Sequence, residues 1–268
     1  MGRTAIKAFA RMLLPTVLLC LGPTAPPSRA DSADTSARRD TQRTIFSDAE
    51  ITDGFLKIAF GAEFRADLRV DRIRKFDQPI RIFVDSRGEP DRRNQVAGIV
   101  ADIRTRIKNL DIAITPTRVD ANMIITLVLD RDLERTIRTI YGAARARNIE
   151  RSLRPQCLAG FAKDDSYRIL RSEVLLVVDE GDFVFYDCAY EEILQALGPI
   201  NDDRTVPWSM FNDDVSMGFF GVYDQILLNL LYDPRLRPGM TKQEALELLP
   251  QVLPEVRAFV AQSNATPP

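Results

Sequence analysis

The sequence predicts an α+β domain with an α/β-like N-terminal part: a mixed sheet, a long helix, a motif-bearing helix and further helices toward the C-terminus. Three observations point there. Between residues 79 and 129 β-branched runs alternate with helical periodicity, the mark of strands joined by a helix. After residue 182 helical spacing dominates. The chain, 268 residues with 45% hydrophobic content, is long enough for one substantial core, so a single domain with tails is the simplest organisation.

Residues 1–30 read as an export signal. Arg3, Lys7 and Arg11 precede the apolar run from Met12 to Leu21, and Ser28-Arg29-Ala30 offers small residues where a signal peptidase reads, so the mature chain is expected to start at Asp31. The apolar run is too short to remain as a span, which leaves no transmembrane anchor after cleavage and implies a periplasmic or secreted location. Cys20 raises the question of a lipoprotein, but Leu19 stands where a lipid-attachment site carries a small residue, which argues against it. Cleavage removes four cations and no acid, taking the formal charge from −2 to −6. A mildly acidic exported protein is no general nucleic-acid binder. Cys157 and Cys188 are the cysteines that remain, and an even pair in an oxidising compartment points to a disulfide. Closing a loop of that size contributes about 3 to 4 kcal/mol in the chain-entropy model. A metal-binding or catalytic thiol pair would need closer spacing.

Residues 31–45 are polar, rich in Arg and Asp and without periodicity, and read as a disordered lead-in. The folded domain is expected over residues 46–262. Ser47 and Glu50 form a capping box, and Ile51, Phe55, Ile58 and Ala59 recur at helical spacing, which predicts a helix over residues 47–61. Residues 79–85 alternate like a strand, and Val96, Ile99, Val100, Ile103 and Ile107 mark a long helix after Pro90-Asp91. Residues 112–115 and 123–129 are β-branched strands, the second a central one. Residues 131–154 turn helical and carry seven arginines, Arg131, Arg135, Arg138, Arg145, Arg147, Arg151 and Arg154, which read as a solvated face, or more sharply as a dock for an anionic polymer or lipid headgroups. Residues 169–178 form another strand, closed by the turn cluster 179–182. A helix over residues 183–197 should stop at Gly198-Pro199, a second runs over residues 222–232, and a capping box at Thr241 and Glu244 opens a last one that Pro250 and Pro254 kink or break. Residues 263–268 read as a flexible tail.

The stretch from Glu191 to Asn201 has the frame of the zinc-peptidase signature HExxHxxGxxH, with Glu191, Gln195 and Asn201 at the histidine positions and Glu192 at the general-base position. The chain contains no histidine at all, so it lacks the imidazoles by which such peptidases hold zinc. At 100° per residue Tyr190, Ile193, Leu194 and Leu197 share one side of the helix, while Glu191, Glu192 and Gln195 share the other. Gly198 then allows a sharp turn that can bring Asn201 or Asp202 back toward the polar face.

The order of parts, a strand at residues 169–178, this helix, Ser209-Met210-Phe211 and the helix holding Asp224 with Leu231-Tyr232, resembles the metzincin zinc peptidases with their methionine turn. The combination of Cys188, Glu191-Glu192, Gln195-Ala196-Leu197-Gly198-Pro199 and Leu231-Tyr232-Asp233-Pro234-Arg235-Leu236 followed by Pro238-Gly239-Met240 resembles an exported bacterial family known only as a domain of unknown function, over roughly residues 46–254. The resemblance implies a metzincin-like domain with Glu191, Gln195 and Asn201 at ligand positions, Met210 or Phe211 under the site, and no established activity.

A retained frame without its metal chemistry points first to a non-catalytic peptide- or protein-binding domain, with a peptide or envelope protein partner, no cofactor, and Glu191, Glu192, Gln195, Asn201 and Asp202 lining the cleft. The alternative is a metal-independent or calcium-dependent hydrolase using Glu192 as catalytic general base and Gln195 as oxyanion donor. Calcium enters through the clusters 201–203 and 212–214, Asn-Asp-Asp in both, although such clusters are ordinarily turn formers. Trp208 and Phe219-Phe220 read as core, or as peptide-binding aromatics after the cleft helix. Asp224 reads as a partner for the turn beneath the motif or as a helix cap.

Overall fold

The computed structural model describes residues 33–61, 71–152, 156–199 and 201–265. The expected signal segment with Cys20, Arg154 of the arginine run and the last three residues lie outside them, as does the side chain of Arg151. The described residues make one compact unit. The elements in order are α1 (Ala33–Thr41), α2 (Asp48–Ala59), β1 (Ile80–Ser86), α3 (Arg93–Arg106), β2 (Ile112–Ile114), β3 (Met123–Val128), α4 (Asp130–Tyr141), α5 (Ala143–Ser152), β4 (Cys157–Lys163), β5 (Ile169–Val177), α6 (Asp182–Gln195), α7 (Val222–Leu231) and α8 (Lys242–Ala265). This is the mixed α+β architecture expected from the sequence.

The five strands stand in the order β2-β1-β3-β5-β4. The first four run parallel, and β4 pairs antiparallel with β5 at one edge. Alternation sorts the sheet into two faces. Ile80, Ile82, Ile112, Met123, Ile125, Leu127, Val174 and Leu176 enter the main core with residues of α2, α3, α6, α7 and α8. On the other face Val128, Leu158, Leu175 and Val177 pack against Leu133, Ile137, Ala146 and Ile149 of the α4–α5 pair. β3, covered on both sides, is therefore buried at every position, which explains a sequence apolar at every position but Thr126.

The capping box at Ser47 and Glu50 forms as expected: the Ser47 hydroxyl accepts from Glu50 N, and Glu50 accepts from Ser47 N. Two neighbouring cations clamp two helix ends. Arg74 donates to Ala59 O and Gly61 O at the end of α2, and Lys75 donates to Leu231 O and Asp233 O at the end of α7. Both answer the negative end of a helix dipole and its orphan carbonyls. Burial lowers the pKa of Arg74 to about 10 and that of Lys75 to about 8.

Three elements differ from the sequence expectation. The lead-in contains a helix, α1, which is held by docking onto the residues after α6 rather than by its own propensity. Cys157–Lys163, which carries little periodicity, is a strand because it completes the edge beside β5. The last helix runs unbroken through Pro250 and Pro254. Both prolines face solvent, where the carbonyls they leave unpaired meet water, while Ala245, Leu249, Val252, Leu253, Val256 and Val260 anchor the opposite side in the core. In the arginine run, Arg135 pairs with Asp132, Arg138 with Glu134, and Arg145 lies over Tyr141, so these arginines are spent locally on a solvated face. No helix among the described residues is long and apolar enough to cross a membrane.

Candidate functional site

α6 is fixed at its start by the buried Arg92, which donates to Val178 O and pairs with Asp182, and at mid-length by the Cys157–Cys188 disulfide to β4. Its apolar side goes into the core as the periodicity predicts: Tyr190, Ile193, Leu194 and Leu197 are all buried. Its polar side does not face solvent. Glu192 is only 7% exposed and Gln195 3%, while Glu191 is partly buried. The helix ends at Gln195 and the chain turns at Gly198, whose φ of +139° and 2.1 Å approach of Arg74 O to any added Cβ admit glycine alone.

The covering layer is the loop of residues 201–214. It folds back on itself: Asp203 N donates to Phe211 O, and the buried Asn212 amide donates to Val206 O. Asp203 and Asn212 act as turn formers, accepting from Thr205 N and Asp214 N respectively. This closure brings Asp213 back beside Asp202. Glu191, Asp202 and Asp213 each place a carboxylate oxygen within 4.8 Å of the others. Gln195 joins them through Nε2, which donates to Asp202 Oδ1 over 2.9 Å.

Of the residues singled out from the sequence, Glu191, Gln195 and Asp202 therefore meet. Asn201 goes elsewhere: its Nδ2 donates to Lys57 O at 3.0 Å, tying the loop to the end of α2. Glu192 is buried apart from that cluster's hydrogen bond, within electrostatic reach of Tyr141 and Glu191. Asp213, absent from the expected cleft, is the residue sequence spacing missed. The signal was the repeated Asn-Asp-Asp at 201–203 and 212–214, of which one aspartate each reaches the cluster.

Three carboxylates this close cannot all be charged cheaply. Burial first, then Glu192 and Asp202, raise the Glu191 pKa well above the usual carboxylate range. Burial and then Asp213 lift Asp202 to about 7, against the opposing hydrogen bond from Gln195. As a donor set these are hard oxygens. They do not fit a zinc site of imidazole and thiolate, and for calcium, which takes six to eight oxygens, they form part of a shell.

Beneath the site, Asp224 is fully enclosed and holds the turn at residues 209–211: Ser209 Oγ donates to Oδ1 at 2.6 Å and Met210 N to Oδ2 at 3.0 Å. Burial raises the Asp224 pKa to about 7, the two donors opposing. Met210 and Phe211 are buried against the main core. Phe219 and Phe220 are likewise core, and Trp208 packs with Phe46 and Tyr223 at centroid distances of 5.8 and 6.2 Å. The segment after α7 locks the arrangement: Tyr232 donates to Leu197 O, and Ile73 exchanges backbone bonds with Gly239 and Met240.

No curated protein matches the chain. The sequence model of a family described as protein of unknown function (DUF2927) matches residues 48–251, from the first turn of α2 into α8, and with it this chain belongs to that family.

Proposed function

We propose that this protein is an exported, non-catalytic domain of metzincin-like (pseudopeptidase) build that binds a peptide or an envelope protein partner. The observation that carries the reading is what stands at the ligand positions. Gln195 donates to Asp202 and Asn201 bonds Lys57 O, so two of the three ligand positions are engaged by the chain's own groups, while Glu191 meets the carboxyls of Asp202 and Asp213. Glu192, at the general-base position, is buried at 7% exposure, which leaves little room for an attacking water.

The edge strand β4 supplies the binding element. Among the described residues no strand pairs with its outer side. Cys157 is bonded to Cys188, and Phe161 stands opposite Ser172, whose hydroxyl donates to Ala196 O, so β4 runs alongside α6 past Glu192. An extended peptide added to that edge would gain main-chain hydrogen bonds, the usual source of affinity in strand addition.

Selection of displayed random peptides on the untagged full-length protein, with mass spectrometry of what elutes, tests the reading. Enrichment of intact peptides supports it. Cleaved products that vanish with Glu192→Gln would overturn it.

A further inference from the structure

We infer that the aromatic surface of Phe183, Trp208 and Phe219 recognises arginine-bearing peptide segments, and that residues 33–43 of this chain occupy it as a removable cover. The inference rests on the peptide-binding reading and gives it a ligand class.

Three arginines carry the cover. The Arg38 guanidinium lies 5.0 Å from the Phe183 ring centroid and donates to Ser216 O at 2.9 Å. Arg39 lies 5.1 Å over Phe219. Arg43 lies 4.9 Å over Phe46 and 4.3 Å over Trp208, and also pairs with Glu50. Flat guanidinium groups over aromatic faces combine cation–π attraction with stacking, which an ammonium does less well. Between them, Gln42 Oε1 accepts from Val222 N at the start of α7, a position a backbone carbonyl of a bound peptide can also fill.

Two features mark the segment as removable, and its further contacts show how it docks. It lies ahead of the residues matched by the family. α1 is nine residues, ADTSARRDT, too short and too polar to persist as a helix without its dock. Thr35 is buried against Gly218, where φ is +73° and an added Cβ would come within 3.0 Å of the Thr35 hydroxyl. Asp187 holds that turn, accepting from Met217 N and Gly218 N at 2.6 and 2.8 Å. Asp187 sits one helical turn before Glu191, so the covered surface borders the carboxylate cluster. Each contact is weak by itself, and covalent attachment supplies the effective concentration that keeps the cover in place.

Trp208 is the only tryptophan in the chain and reports the contact directly. In the full-length variant Arg38→Ala/Arg39→Ala/Arg43→Ala, a synthetic peptide of residues 33–45 should change Trp208 emission saturably. The same peptide with its arginines replaced by glutamine should bind at least about tenfold more weakly, and the wild-type chain should need at least about tenfold more peptide, because its own cover competes. Equal titration by the arginine-free peptide overturns the inference, as does silence toward both peptides in a variant whose circular dichroism matches wild type. Should the triple variant fail to fold, Arg38→Ala/Arg39→Ala keeps the Arg43–Glu50 pair. Hydrogen exchange at Gly218 and Val222 should then quicken and be slowed again by the peptide, and unchanged exchange counts against the cover. Displayed peptides selected without arginine would overturn arginine recognition while leaving the peptide-binding reading intact.

Discussion

Gln195 Nε2 donates to Asp202 Oδ1 across 2.9 Å, and this one bond joins the motif helix to the loop that folds over it. A neutral amide thereby holds a carboxylate at a position where the frame of the motif expects a metal-binding imidazole. The carboxylate, crowded by Asp213 and buried, keeps its proton up to about pH 7.

The contribution of Asp202 and Asp224 to stability should fall as pH rises through the acid range. Asp202 and Asp224 have folded pKa values of about 7 against an ordinary 3.8, so below about pH 4 both folded and unfolded chains carry these protons. Between pH 4 and 7 the unfolded chain releases them first, which favours unfolding until the folded protein also ionises. Asp202→Asn should therefore raise Tm at pH 8 and change it little at pH 4.5. Thermal scans across that range decide it, and parallel curves for wild type and variant would sink the account.

Asp224→Ala should destabilise strongly, because it strands the Met210 N–H and the Ser209 hydroxyl in a dry interior. We expect a loss of about 2 to 4 kcal/mol in urea unfolding, against about 1 kcal/mol for Ser209→Ala. Equal effects of the two variants would show that Asp224 does not hold the turn.

Replacing both cysteines, Cys157→Ser with Cys188→Ser, removes the disulfide that cross-links β4 to α6. The chain-entropy model puts the cost at about 3 to 4 kcal/mol. Denaturation midpoints of the oxidised wild type, reduced wild type and double variant measure it. Coincident midpoints would mean that packing alone fixes the edge strand.

Lys75→Met preserves much of the apolar stem but leaves Leu231 O and Asp233 O without their donor. A loss of about 1 to 3 kcal/mol is expected, with hydrogen exchange accelerating in the last turn of α7. Exchange that quickens elsewhere and not there would contradict the capping role.

Much of the fold was legible because its signals are local. The capping box at Ser47 and Glu50, the β-branched run of β3 and the apolar side of α6 each declare themselves within a few residues. The disulfide followed from cysteine counting. What escaped depends on partners distant in sequence. β4 is a strand because β5 lies beside it, α1 is a helix because aromatic rings receive its arginines, and α8 survives two prolines because six apolar side chains anchor it. The site divides in the same way: Glu191 and Gln195 could be read from helical spacing, whereas Asp213 joins them only through the closure of the loop over residues 201–214, and Asn201 turns to a carbonyl of α2 that spacing cannot reveal.

The most direct test of the central claim, that protein groups rather than zinc satisfy the motif, is the metal content of untagged full-length protein purified without chelator. The account predicts zinc far below one ion per chain, unchanged by Glu191→Ala. One zinc per chain that disappears with Glu191→Ala or Asp202→Ala would contradict it.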